Sequence, residues 1–149
     1  MYAEGSNLVV PGLGLCHGLA DHETIDTSCC VLRTSSGKTA VIKNSRRALY
    51  GYDQRVEVHG NEGMLRCDNI GPTNVQSSTA AGIRHDPPYK GMDRYTQAYR
   101  DEMRSFLADT VRDGLPPKVC MQDGLRANLI ADAAVKSFNS GHSERVQAM

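Results

Sequence analysis

Neither sign of charge predominates in this chain, no apolar run is long enough to cross a membrane, and no cysteine spacing marks a disulfide framework. Seventeen Lys and Arg balance seventeen Asp and Glu, so no net field draws the chain to nucleic acid or to an anionic membrane surface. No stretch approaches the roughly 20 apolar residues that span a bilayer, and the N-terminus lacks the basic-then-apolar order of a secretory signal. The expectation is a soluble, cytoplasmic protein without nucleic-acid or membrane partners. Five cysteines, Cys16, Cys29, Cys30, Cys67 and Cys120, are odd in number and read as free thiols. A zinc site built from Cys16, His17, His22 and Cys29 or Cys30 has suitable residue types. Cys29 and Cys30, however, are adjacent in a β-like run and would point to opposite faces of a sheet, so no metal is expected.

What is present fits one globular domain: 149 residues, 40% apolar and 23% charged, enough for a core of its own. The front of the chain reads as strands. Residues 2–10 form the first, broken by Pro11, Gly12, Gly14 and Gly18 into a loop running to about Glu23. Residues 24–34 and 38–47 pair as a hairpin around Ser35, Ser36 and Gly37. In residues 53–59, Val56 and Val58 share one face and Arg55, Glu57 and His59 the other. The turn Gly60-Asn61-Glu62-Gly63 sends the chain back through residues 64–68, and residues 73–78 make a weaker strand.

From Asp93 the period becomes helical, with Tyr95, Tyr99, Met103, Phe106, Thr110 and Val111 along one face until Gly114, Pro116 and Pro117 end it. Asp123 is placed to cap a second helix with the stripe Ala127, Ile130, Ala131, Ala134 and Phe138, closed by Gly141. Strands first and helices last predict an α+β fold with a predominantly antiparallel open sheet and two helices on one face.

Two patterns invite a functional reading. A strand running into Gly12-Leu13-Gly14 looks like a dinucleotide-binding turn, but the third glycine of the pattern falls on His17 and no βαβ unit follows. The stronger pattern is residues 44–63, Asn-Ser-Arg-Arg-Ala-Leu-Tyr-Gly-Tyr-Asp-Gln-Arg-Val-Glu-Val-His-Gly-Asn-Glu-Gly. If its centre is extended, Tyr50 and Tyr52 project to the same face and Gly51 leaves the backbone open between them. A phenol donates, accepts and offers an apolar ring face, which suits a ligand with many hydroxyls on a carbon ring. On the residues alone, two half-buried sheet tyrosines remain the competing account.

Residues 44–63 resemble the central strands of the C-terminal domain of inositol 2-dehydrogenases, in the Gfo/Idh/MocA oxidoreductase family. The likeness extends through Asp26-Thr27, Leu32-Arg33 and Ser36-Gly37, then Arg94-Tyr95, Ala98-Tyr99 and Phe106, and finally Pro116-Pro117, Asp123-Gly124 and Ala133-Ala134. It implies an NAD-dependent oxidation of a ring hydroxyl of myo-inositol, or a related polyol or sugar, to a ketone. By position Tyr50, Tyr52 and Asp53 match substrate-facing residues, while Arg46 and Arg47 match a basic pair that reads as a solvated face or a subunit contact.

The resemblance also implies residues that are not found here. The family's Glu-Lys-Pro lysine is absent, and so is its Asp-x-x-x-His pair: Leu13, Gly18, Arg55, Ala81 and Phe138 stand four residues before the histidines. The chain is therefore expected to be a partial C-terminal substrate-binding and oligomerisation domain without the N-terminal Rossmann domain, inactive by itself, with no catalytic or cofactor-binding residues of its own. Self-association through the open sheet face is implied as well. The rival expectations are a non-enzymatic assembly module derived from such an enzyme, and a relative acting on glucose-type sugars or dihydrodiols.

Overall fold

A computed structural model describes residues 1–8, 25–85 and 91–148. The glycine loop, the end of the expected first strand at Val9 and Val10, and Cys16, His17 and His22 of the zinc alternative lie outside them. The described chain is α+β. Seven strands pair only antiparallel, in ladders of three, two and two, and two helices follow, as the order of periodicities predicts. The chain divides into two compact units, one of Met1–Arg47 with Lys118–Met149 and one of Ala48–Pro117.

In the first unit β1 (Tyr2–Ser6), β2 (Thr27–Arg33) and β3 (Thr39–Ser45) form a sheet in sequence order. The β2–β3 hairpin turns where Ser, Ser and Gly were expected to turn it. Thr34 N–H bonds the Lys38 carbonyl at 2.9 Å, and Val31 faces Val41 across the ladder. Helix α2 (Met121–Ser140) packs on β1. Small side chains make the contact: Ala3 and Ala133 are 4% and 3% exposed and Ser137 is fully buried. Two small surfaces let backbones approach closely without voids. Ser137 completes the contact with hydrogen bonds, its Oγ accepting from Ala3 N at 3.0 Å and donating to the His142 carbonyl at 2.6 Å.

Two expectations for α2 need correction. The buried face runs through Ala133 and Ser137, not Ala127 and Ala131, which are exposed. A serine with two internal partners is buried as cheaply as an alanine, so ranking by hydrophobicity misplaces the stripe. Nor is Asp123 the N-cap. Cys120 holds that position and Asp123 acts from the first turn, its Oδ2 accepting from Cys120 N at 3.0 Å and from the thiol at 3.2 Å. Gly141 closes the helix in the left-handed region, as expected.

In the second unit β4 (Val56–Gly60) and β5 (Gly63–Cys67) form a hairpin whose two-residue turn is Asn61-Glu62. The expected strand at 73–78 is displaced to β6 (Ser77–Thr79), paired with β7 (Gly82–Arg84). Hydroxyls explain the shift: Thr73 Oγ1 accepts from Val75 N at 3.2 Å, which turns the backbone locally and competes with a ladder. Helix α1 (Gly91–Ser105) continues into a π-helical segment, Phe106–Arg112. Periodicity does not foresee this widening, which carries an internal Ser105–Asp109 bond of 2.7 Å. Gly114, at φ +67°, ends it.

Candidate functional site

The site grows out of a turn. After β3 the chain does not stay extended. Residues 48–51 reverse, Gly51 N–H bonding the Ala48 carbonyl at 3.3 Å, and Gly51 is buried with φ +110°, a conformation that side-chain-bearing residues rarely adopt. The condition under which Tyr50 and Tyr52 would share a strand face is therefore not met. They stand on either side of a turn residue, and each engages a different neighbour.

Tyr50 donates its hydroxyl proton to Asp53 Oδ2 at 2.7 Å. Asp53 is the centre of the site, with four donors on its two oxygens. Arg55 approaches as a fork, Nε to Oδ1 at 2.9 Å and Nη2 to Oδ2 at 2.7 Å, and Asn69 Nδ2 reaches Oδ1 at 2.6 Å. An ionised carboxylate offers about four lone-pair sites, and here each is used. The Arg55 fork first, then the Tyr50 and Asn69 bonds, hold the Asp53 carboxyl far below the usual carboxylate range. The same contact raises the Tyr50 phenol above its ordinary value, its hydrogen bond to Asp53 being the largest cause.

Behind Asp53, Asn69 Oδ1 accepts from Arg94 Nη1 at 2.7 Å and from Gln54 N at 2.9 Å. Arg94 Nη2 also donates to the Gln54 carbonyl at 2.7 Å. Only donors face Oδ1 and an acceptor faces Nδ2, so the Asn69 amide has one workable orientation. Arg94 lies in the first turn of α1, and the network thereby anchors the start of that helix to the residue 53–55 segment and to the turn after β5.

Tyr52 meets the same helix through its ring. It lies edge-to-face on Tyr95 with centroids 6.0 Å apart, a favoured aromatic geometry, and Tyr95 continues edge-to-face onto Tyr99 at 6.3 Å. Gly91 makes room: a Cβ there would sit 3.2 Å from the Tyr52 ring. Tyr50 and Tyr52 remain 60% and 40% exposed, whereas the Asp53 side chain is only 12% exposed. The arrangement offers solvent two phenols in fixed orientations, backed by a carboxylate whose acceptor sites are occupied.

Tyr50 and Asp53 are thus brought into one network, while Tyr52, two residues from Tyr50, is held separately against Tyr95 of α1. Sequence reasoning did not assign Arg55, Asn69, Arg94 or Gly91 to either. Arg55 sits at the mouth of β4 two residues from Asp53, and Arg94-Tyr95 stands in a charged helical turn, signals that are visible but generic. Elsewhere, Cys29 and Cys30 occupy successive register positions of β2 opposite Lys43 and Ile42, and no three metal-ligating side chains converge among the described residues. An open groove along α1 and the π segment, lined by Arg100, Met103, Arg104, Leu107, Ala108 and Arg112, includes none of the cluster. No helix among the described residues is long and apolar enough to cross a membrane.

Comparison with known proteins places these features in a lineage. Residues 1–66 match the GFO/IDH/MocA C-terminal domain family. Inositol 2-dehydrogenase of Rhizobium meliloti is 42% identical over 120 residues, covering 80% of this chain and 36% of that protein. The crystal structure of a myo-inositol dehydrogenase from Corynebacterium glutamicum superposes with TM-score 0.86 at 33% identity, over 99% of this chain and 43% of that one. A myo-inositol dehydrogenase from Lactobacillus casei, solved in complex with NAD(H) and myo-inositol, superposes with TM-score 0.71 at 26% identity, over 84% of this chain and 36% of that one. The chain spans about two fifths of the length of the relatives it matches.

Proposed function

This chain belongs to the GFO/IDH/MocA family, in the part that forms the C-terminal domain, and on that premise we propose that it supplies the polyol-facing wall of an inositol 2-dehydrogenase-like oxidoreductase. The reaction is oxidation of a ring hydroxyl of myo-inositol, or a related polyol, to a ketone, with NAD as the hydride acceptor. The observation that carries the reading is the Tyr50–Gly51–Tyr52–Asp53 cluster, two exposed phenols held in place by their own network on a chain whose relatives are named for inositol oxidation.

The division of labour follows from what the residues offer. All described strand pairs are antiparallel, so no βαβ unit here presents a helix N-terminus to a pyrophosphate. The described residues do not fit the nucleotide, and no step is assigned to them through it. Tyr50 and Tyr52 bind and orient the ring: their hydroxyls face polyol hydroxyls and their ring faces cover its apolar C–H surface. Asp53 holds Tyr50. None of these three is a proton acceptor for the chemical step, since a neutral phenol is not a base and the Asp53 lone pairs are engaged. Proton abstraction and hydride transfer belong to groups outside this set, and the chain by itself is inactive. Incubating the purified chain with NAD and myo-inositol while following nicotinamide absorbance tests this; sustained reduction above background contradicts it.

A second reading, an assembly module that keeps the sheet as its contact surface, draws on one observation. In the β1–β3 sheet, Val31, Val41 and Ile42 are all exposed although Val41 and Ile42 point to opposite faces. Burial against a second copy accounts for apolar residues on both parities. Sedimentation of the chain decides it: a monomer across the micromolar range removes this reading and leaves the polyol wall untouched.

A further inference from the structure

The Tyr50 hydroxyl has one proton, and the structure shows where it goes. The Asp53 carboxylate, held ionised by the Arg55 fork, has no proton to donate and accepts the Tyr50 hydrogen bond on Oδ2. Its other three acceptor positions are filled by the Arg55 fork and by Asn69, whose orientation Arg94 and Gln54 fix from behind. Nothing in this network competes for the Tyr50 proton or offers it an alternative partner. Tyr50 is 60% exposed, and with its proton directed to Asp53 its oxygen offers solvent or ligand only the lone-pair capacity that Arg55 leaves open.

Resting on the polyol-binding reading above, we propose that Tyr50 contacts its ligand only as a hydrogen-bond acceptor, and that Asp53 is the positioning residue that makes it so. A ligand atom at Tyr50 must therefore carry a proton to donate. A ring hydroxyl qualifies and a carbonyl oxygen does not. Before the reaction any ring hydroxyl can donate to Tyr50, but in the ketone product only a position that has kept its hydroxyl still does. Tyr50 then selects ring orientation: a cyclitol seated with its ketone at Tyr50 sets two acceptors against each other. Such a mismatch costs an unmade bond on each side.

The experiment compares myo-inositol with its monodeoxy and monoketo analogues by ligand-observed NMR on the full chain and on Tyr50→Phe and Asp53→Ala. At one ring position, deoxygenation and conversion to the ketone should each weaken binding about two- to tenfold, the worth of one hydrogen bond. In Tyr50→Phe that position should lose its discrimination. In Asp53→Ala, where no side-chain acceptor remains and the phenol regains a free proton, the ketone should recover relative to the deoxy analogue, a reversal that a merely structural role does not produce. A ketone that binds wild type as well as the parent while the deoxy analogue is weakened overturns the proposal, because Tyr50 then donates. If Asp53→Ala does not fold, wild type and Tyr50→Phe alone carry that comparison. If no cyclitol binds, the polyol reading fails separately. The Tyr50 Cζ carbon-13 titration then decides the hydrogen bond: ionisation later than in Asp53→Ala supports it, and equal or earlier ionisation overturns it.

Discussion

The α2–β1 contact in one unit and the Asp53 cluster in the other are supported by opposite means. The unit of β1–β3 and α2 buries Ala3, Asp26, Ala133 and Ser137, and its helix sits on the sheet through small side chains and one enclosed hydroxyl. The unit of residues 48–117 has no buried large side chain among the described residues and relies on charged and hydrogen-bonded groups converging on Asp53. A close-packed contact is sensitive to volume and indifferent to protons, because packing leaves no slack and carries no charge. A carboxylate network is sensitive to pH and salt and tolerant of volume. Nature has put the exposed phenols on the second kind of support, where orientation is set by hydrogen-bond direction.

The comparison can be broken first at Ala133. Ala133→Leu forces a larger side chain between α2 and β1 and should cost about 2–3 kcal/mol, read by chemical denaturation, with the tyrosine ring signals of residues 50–99 unchanged. Ser137→Ala leaves Ala3 N–H and the His142 carbonyl without their partner and should cost about 1–2 kcal/mol, again without effect on those rings. Equal perturbation of both sets of signals by either variant would show that the two supports are one.

Asp53→Asn addresses the other unit. It weakens four bonds in a partly exposed setting and should cost roughly 1 kcal/mol, diminishing further in high salt. The pH dependence follows from the direction of its shift. The folded state holds the Asp53 carboxyl below its unfolded value, so the stabilisation is complete above the ordinary aspartate range near about 4 and is lost as pH falls from there toward the much lower folded value. Five of the six tyrosines lie within residues 48–117, so near-ultraviolet circular dichroism reports mainly on this unit. Its acid transition should move toward neutral pH in Asp53→Asn and stay in place in Ser137→Ala.

The smallest effect is expected at Gly91. Gly91→Ala should leave stability within about 0.5 kcal/mol of wild type, since alanine favours the helix it begins. It nevertheless crowds the Tyr52 ring and should weaken inositol binding severalfold while sparing Tyr50. Unchanged binding with a displaced Tyr52 ring would remove Tyr52 from the site and leave Tyr50 and Asp53 in it.

How much of this was legible depended on how local each cause is. The α+β order, the β2–β3 and β4–β5 hairpins and the Gly141 helix end follow from period and turn chemistry a few residues long. The α2 face was misplaced because a buried serine with two partners looks polar to any hydrophobicity rule. The strand at 73–78 was misplaced because Thr73 satisfies the backbone of its own neighbour Val75. At the site, Tyr50, Tyr52 and Asp53 stood out within one segment. Asn69 and Arg94 did not, because their importance arises only when a residue 16 positions on reaches the Asp53 carboxylate and one 41 positions on holds that residue from behind. The turn at Gly51 reversed the expected geometry for a related reason: alternation describes a strand, and a single buried glycine at positive φ is enough to end one.

The most direct test of the account is a titration of the labelled chain with myo-inositol, following assigned tyrosine ring resonances. Saturable shifts of Tyr50 and Tyr52, with Tyr2 of the first unit unmoved, are the predicted result. Saturation with Tyr50 and Tyr52 silent, or no saturable shift at all, would contradict the claim that these two phenols form a polyol wall.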